Sequence, residues 1–147
     1  MKPTKIRVIA ICLFTHDNCI LVFQAFDTVK SMPYYRPLGG EVEFGETTEV
    51  SIKREIREEL GQEITDLHLL SIIENLFEWE GKPGHEIVFV YDAHFVDKNV
   101  YRKKELVVHE EIETLKASWR SLDSFNEYHR LVPEELIPLV KSYLRAF

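Results

Sequence analysis

Little in this chain could form a cross-link or hold zinc. It has two cysteines in 147 residues, Cys12 and Cys19, and no CxxC or Cys/His cluster. A zinc site is therefore not expected, and two buried thiols in a reducing cytoplasm are. Long apolar runs are also missing. Residues 8–14 form an apolar stretch after Lys2, Lys5 and Arg7, as a secretion signal would, but the run is short and no A-x-A-like site follows it. It is too short to span a bilayer, so it reads as a buried strand and no membrane association is expected. Positive charge is in deficit: 18 Lys and Arg stand against 25 Asp and Glu, a formal charge of −7. That balance repels phosphate backbones and argues against duplex nucleic acid as a partner. A small anionic substrate would need local cations, supplied by a metal or by a few placed Arg and Lys side chains. Repeats, low-complexity tracts and linkers are absent, so residues 1–147 read as one domain with an ordinary core.

What is present alternates strand-like and helix-like signals. Residues 6–15 and 19–26 flank the turn signal His16-Asp17-Asn18 and predict a hairpin. Residues 31–45 carry Pro33, Pro37, Gly39, Gly40 and Gly45 and read mainly as loop or irregular strand. Residues 48–60 predict a helix, with Thr47 or Thr48 as its cap, Glu49 at its positive end and Gly61 as its stop. Residues 64–79 hold one or two strands, 80–84 a turn, and 85–96 another apolar strand. Residues 106–108 and 115–119 are shorter strands. Residues 122–129 and 134–146 read as closing helices, the second opening at Pro133 and kinked or delayed by Pro138. The expected class is α+β, with a mixed sheet between helices.

The 48–60 helix carries the chemistry. At roughly 100° per residue, Ile52, Ile56 and Leu60 form one stripe that can bury against a sheet. Glu55, Glu58 and Glu59 fall on the arc beside it, within reach of one another. Clustered like charges there repel, and a divalent cation relieves them. Mg²⁺ and Mn²⁺ take carboxylate oxygens and leave positions for phosphate oxygens. A solvated acidic face, with Lys53, Arg54 and Arg57 as ion-pair partners, is the bland alternative. The preceding loop argues against it, because Gly39-Gly40 permits close backbone approach and Gly45-Glu46 leads directly into the helix.

Gly40, five residues, Glu46, seven residues, and then Arg54-Glu55-Ile56-Arg57-Glu58-Glu59-Leu60-Gly61 together resemble the Nudix box, here residues 40–62. Two positions depart from the pattern: Gln62 stands where an apolar residue is usual, and Leu38 separates Pro37 from the glycine pair. The resemblance implies an α/β/α sandwich and a metal-dependent hydrolase, with Mg²⁺ or Mn²⁺ as cofactor. It implies Glu55, Glu58 and Glu59 as metal ligands together with the Gly39 carbonyl. Glu55 is also a candidate to orient or deprotonate the attacking water. Arg54 would position the glutamates, with Glu46 as its ion-pair partner. A general base outside the box would come from Glu110, Glu111 or Glu113, among which the sequence does not choose.

The implied reaction is hydrolysis of a diphosphate linkage in a nucleoside-diphosphate-like small molecule, a nucleoside triphosphate or a relative. Nucleotide sugars, dinucleoside polyphosphates and RNA 5′ ends are alternatives. So is a non-catalytic nucleotide-binding regulator, although such a module would be expected to lose box glutamates that this chain keeps. Homodimers are common in the family; residues 136–147 could serve an interface or close the monomer's core, the latter being the default. For the rest of the substrate, Phe26, Tyr34, Tyr35, Phe77 and Trp79 can stack on a base, with Tyr35 and Phe77 put forward. Arg36 is placed to hold a phosphate or carboxylate. His85-Glu86 opens like a zinc-protease motif, but residue 89 is Phe, and that reading is rejected.

Overall fold

The short apolar run is the centre of the molecule. In the computed structural model, which describes residues 4–145, Arg7–Cys12 (β1) pairs in parallel with Lys82–Phe95 (β6) and antiparallel with Met32–Glu41 (β4). A strand flanked on both sides and covered on both faces must be apolar at every position, which is why residues 9–14 show no polar alternation. The alternation appears instead in the destination of the side chains. Ala10, Cys12 and Phe14 join one buried cluster with Ile52 and Ile56 of Thr48–Leu60 (α1). Ile9, Ile11 and Leu13 join another with Leu136 and Val140 of Leu136–Arg145 (α2). A mixed sheet thus lies between two helices, the sandwich that the resemblance implied.

Around this centre the strand order is Ile64–Trp79 (β5), β6, β1, β4, Cys19–Asp27 (β3), Thr114–Ser121 (β8) and Glu105–His109 (β7). Thr15–His16 (β2) pairs with β3, and Arg130–Leu131 (β9) pairs with β4. No helix among the described residues is long and apolar enough to cross a membrane.

Several local expectations are corrected. The expected hairpin is shorter than its sequence suggested: β1 ends at Cys12 and does not pair with β3, and in the first arm only Phe14 and β2 bond to β3, across Asp17 and Asn18, whose φ values of 50° and 61° suit a tight turn. Residues 31–45 are not mainly loop, because Met32–Glu41 is one strand of ten residues. Pro37 falls where β4 changes partner, pairing with β3 up to Pro37 and with β1 from Leu38, so its missing N–H sits at a junction. The expected turn at 80–84 contracts to Glu80 and Gly81, both at positive φ, while Lys82, Pro83 and Gly84 pair with Trp79, Glu78 and Phe77.

The expected helix at 122–129 is only a 3-10 turn, Leu122–Ser124. Asn126 ends it, its side chain accepting from the backbone N–H groups of Tyr128 and His129 and offering the chain a turn instead of a helix. The last helix begins at Leu136, not at 134. Pro138 then lies in its first turn, where no backbone donor is needed, so it delays the helix without kinking it. Leu136 and Val140 are fully buried, so this segment closes the monomer's core. Lys2 and the helix end expected at Ala146 lie outside the described residues.

α1 ends as its sequence predicts. The Thr47 side chain accepts from the Val50 N–H, and Gly61 takes φ 65°, donating its N–H to the Arg57 carbonyl. Nothing lies within 4 Å of where a Gly61 Cβ would stand, so only the backbone conformation resists a side chain. Gly61→Ala is expected to cost about 1 kcal/mol, a melting-temperature loss of about 2–4 °C with turnover unchanged. A melting curve identical to the parent's would show that this cap does not limit stability.

Candidate active site

The site is built where α1 crosses the glycine pair of β4. Gly39 is opposite Ile11 and Gly40 opposite Ala10 in the ladder with β1. A Cβ on Gly39 would lie 2.0 Å from the Ala10 carbonyl oxygen, and one on Gly40 would lie 2.5 Å from the Glu55 carboxyl carbon. Glycine is needed at both positions, for the backbone at the first and for a functional side chain at the second.

Arg54 organises the acids. Its guanidinium grips Glu46 twice, Nε to Oε2 and Nη2 to Oε1, each at 2.8 Å. It also donates from Nη1 to Glu55 Oε1 at 3.0 Å and Glu58 Oε2 at 3.2 Å, and from Nη2 to the Glu41 carbonyl at 3.3 Å. The guanidinium, with a backbone N–H from Glu43, holds the Glu46 carboxyl down at about 2. The same pairing raises the Arg54 pKa further above its already basic value. Arg54 and Glu46 are therefore a fixed ion pair, not a proton-transfer couple.

Glu59 and Glu55 are held in the opposite electrostatic state. Glu59 is 3% exposed. Burial, then the negative charges of Glu110 and Glu55, push its carboxyl up to about 9, opposed by the Gly39 N–H that donates to Oε1 at 3.2 Å. Its other oxygen, Oε2, is buried and meets no hydrogen-bond donor. Burial also raises Glu55, with Arg54 opposing and the charges of Glu58 and Glu110 adding to the rise. Glu58 is more exposed and turned to Arg54.

Among the described residues, no three His, Cys, Asp or Glu side chains are drawn together into a ready metal cage. The donor set nonetheless fits a hard divalent cation. It consists of oxygens only, and one carboxylate oxygen among them is buried and orphaned beside two more negative groups. Such an oxygen is costly unless it meets a proton or a cation.

Of the three acids considered outside the box, Glu110 is the one whose charge weighs on both Glu55 and Glu59. It stands at the β7–β8 turn, closed by the Glu110 N–H bond to the Glu113 carbonyl, and Glu111 and Glu113 are exposed there. Tyr35 is not placed for a ligand. It is 4% exposed in the α2-side core, with Phe125 at its edge and the Arg120 guanidinium 4.1 Å over its ring. It alternates with Tyr34 and Arg36, which line a cleft of about 1280 Å³ between the β3–β4 and β5–β6 hairpins. Phe77 and Trp79 line it too, the Phe77 ring lying over Gly84, whose missing side chain leaves it room. The two hairpin tips are tied at the far end, where Thr28 bonds to Glu80 and the Glu80 N–H donates to Asp27. The box glutamates are not in the cleft wall. Arg7 joins the two regions, lining the cleft and donating to Glu41, whose carbonyl accepts from Arg54.

Comparison with known proteins agrees with this fold. The NUDIX domain family matches residues 3–140. A MutT NUDIX hydrolase from Burkholderia pseudomallei is 26% identical, with a TM-score of 0.66 over 92% of this chain and 96% of that one. A NUDIX hydrolase from Nitrosomonas europaea shares the fold at 17% identity, with a TM-score of 0.68 over 97% and 90% of the two chains. A MutT protein from Methanosarcina mazei does so at 18% identity, with a TM-score of 0.62 over 99% and 98%.

Proposed function

The chain belongs to the Nudix family of hydrolases, and from that premise we propose that it cleaves a diphosphate linkage in a nucleotide, with Mg²⁺ or Mn²⁺ as cofactor. The observation that carries this reading is Glu59, a buried carboxylate with an orphaned oxygen beside the charges of Glu55 and Glu110. Glu55, Glu58 and Glu59, with the Gly39 carbonyl, would hold the ion. When bound, it supplies positive charge against the diphosphate oxygens.

The chain's own groups have separable roles in this reading. Arg54, clamped by Glu46, fixes the directions of Glu55 and Glu58. Water attacks one phosphorus in line, and the bond from that phosphorus to the bridging oxygen breaks. Glu110, exposed yet facing the cluster, takes the proton of the water. The non-reacting half of the nucleotide occupies the cleft, with Tyr34, Phe77 and Trp79 available to stack on a base. A non-catalytic regulator has less support, because every box glutamate is kept. The two cysteines are free, and we place the protein in the cytoplasm as one hydrolase domain over residues 1–147.

The test is a panel of nucleoside triphosphates, nucleoside diphosphates, nucleotide sugars and dinucleoside polyphosphates, each run with Mg²⁺, with Mn²⁺ and with EDTA. Turnover with metal and none with EDTA is the expected result. A folded, metal-binding protein that turns over no member of the panel would overturn the hydrolase reading. On the best substrate, Glu110→Gln is expected to lower kcat about 100-fold, while Glu111→Gln and Glu113→Gln stay within about twofold. Equal losses in all three variants would remove Glu110 from the role of base.

A further inference from the structure

The cleft floor holds a charged cluster that the hydrolysis does not use. Glu86 stands directly before the apolar run of strand β6 and is 1% exposed. Arg36 Nη2 donates to its Oε1 at 2.8 Å, and Arg7 Nη1 to its Oε2 at 3.4 Å. Asn75 Nδ2 adds a longer contact to Oε1 at 3.5 Å. The cluster continues outward, since Arg7 Nε donates to Glu41 Oε2 and Lys5 Nζ pairs with Glu41 Oε1, both at 3.3 Å. Three cations thus share two carboxylates, and one positive charge is left over. Of the other acids that line the cleft, Asp27 accepts from backbone N–H groups at the far hairpin tips and Glu134 pairs with Arg130, while Glu78 and Glu135 stand with Lys30 and Lys82. A buried carboxylate between two guanidinium groups is costly as a purely structural device. One further anion would balance the charge and use guanidinium donors that Glu86 leaves free.

Resting on the hydrolase reading above, we propose that Arg7 and Arg36 form a seat for a phosphate beyond the diphosphate that is cut, with Glu86 as the residue that positions both. Arg7 and Arg36 both line the cleft, and Glu41 connects Arg7 to the Arg54 cluster. A phosphate in this seat therefore belongs to the molecule whose diphosphate lies at the glutamates. The favoured substrate class is the nucleoside triphosphates and longer polyphosphates, over nucleotide sugars, which carry no phosphate beyond the diphosphate that is cut.

The first arm needs no turnover. Inorganic phosphate is titrated into the full chain in EDTA, with chloride at matched ionic strength as control, and the arginine Nε–Hε NMR signals are followed. Saturable shifts of the Arg7 and Arg36 signals are expected, absent with chloride and lost in Arg36→Gln. No saturable shift, or the same shift with chloride, overturns the seat. Glu86→Gln removes a negative charge, so simple electrostatics would tighten phosphate binding. The positioning role predicts about 10-fold weaker binding, partly restored in Glu86→Asp; unchanged or tighter binding overturns that role. If circular dichroism shows Arg36→Gln to be unfolded, Arg7→Gln takes its place.

The second arm compares uridine triphosphate with a uridine diphosphate sugar. Arg36→Gln is expected to lower kcat/KM about 10- to 100-fold on the triphosphate, mainly through KM, and at most about twofold on the sugar. Equal losses on both substrates overturn the assignment of substrate class. Should no nucleotide be hydrolysed at all, the hydrolase reading fails, and the phosphate titration still decides the seat.

Discussion

Glu59→Gln is expected to abolish measurable turnover and, in the same variant, to raise the melting temperature of the metal-free protein. The two effects share one cause. Glu59 is a carboxylate in a place that disfavours its charge, with one oxygen on the Gly39 N–H and the other without a donor. Glutamine keeps an acceptor for Gly39, offers an N–H₂ group toward Glu110 and carries no charge to desolvate. In EDTA the folded wild type holds its proton up to about 9, whereas the unfolded chain releases it near the ordinary 4.5. Between those values the folded state binds more protons, so wild-type stability falls as pH rises, and glutamine removes that slope. The variant's advantage should therefore be small near pH 5 and grow toward pH 9. Adding Mg²⁺ should reverse the order, raising the melting temperature of the wild type and leaving that of the variant nearly unmoved. Thermal melts at several pH values, with and without metal, read all of this. A variant that is less stable than wild type in EDTA across the whole range would show that Glu59 is not an uncompensated buried acid.

This double signature is the usual trade at a functional site, where a local rule is broken for chemistry and the rest of the fold compensates. The compensation is visible in α1. Its Thr47 cap, its Gly61 stop and its buried Ile52 and Ile56 all favour the helix that must present three neighbouring glutamates.

Those same features made α1 legible in the sequence, since caps and a stripe of period 3.6 are local signals. The central strand was legible for a related reason, as a short apolar run has few other destinations. β4 was not. Its prolines and glycines are turn signals locally, and only the change of partner at Pro37 and the crossing of α1 over Gly40 make them strand residues. The segment 122–129 was misread because the Asn126 side chain competes for backbone donors that a helix would have used.

Among the site residues, the grouping of Glu55, Glu58 and Glu59 with Arg54 and Glu46 followed from spacing and from the resemblance. The choice among Glu110, Glu111 and Glu113 did not, because the β7–β8 pairing sets which of them turns toward α1. Tyr35 and its neighbours Tyr34 and Arg36 could have been separated by strand alternation had β4 been read as a strand. Glu86 was passed over as part of a failed zinc motif. A buried acid directly before the apolar run of residues 87–91 was the signal, and the parallel register that sets it opposite Arg7 gives it meaning.

The glycine pair gives the second large expected effect, and its two members should fail in different ways. Gly39→Ala places a methyl 2.0 Å from the Ala10 carbonyl oxygen and 2.7 Å from the Ile11 Cα, at a φ of +150°. Both obstacles are backbone atoms of the central strand, which cannot yield without breaking the β1–β4 ladder. A loss on the order of 3 kcal/mol or more is expected, about 10 °C in melting temperature for a chain of this size. Gly40→Ala meets only the end of a side chain, the Glu55 carboxyl, with its carbon at 2.5 Å. That group can rotate away, so the fold should survive with a modest loss. The displaced carboxylate can then no longer stay where Arg54 holds it, and kcat should fall about 100-fold, as displacements near 1 Å do. Melting curves and steady-state kinetics on the two variants separate the cases. Comparable stability in both would mean that β1 gives way at Ala10. Full activity in Gly40→Ala would mean that Glu55 does its work from a position other than the one beside the glycine.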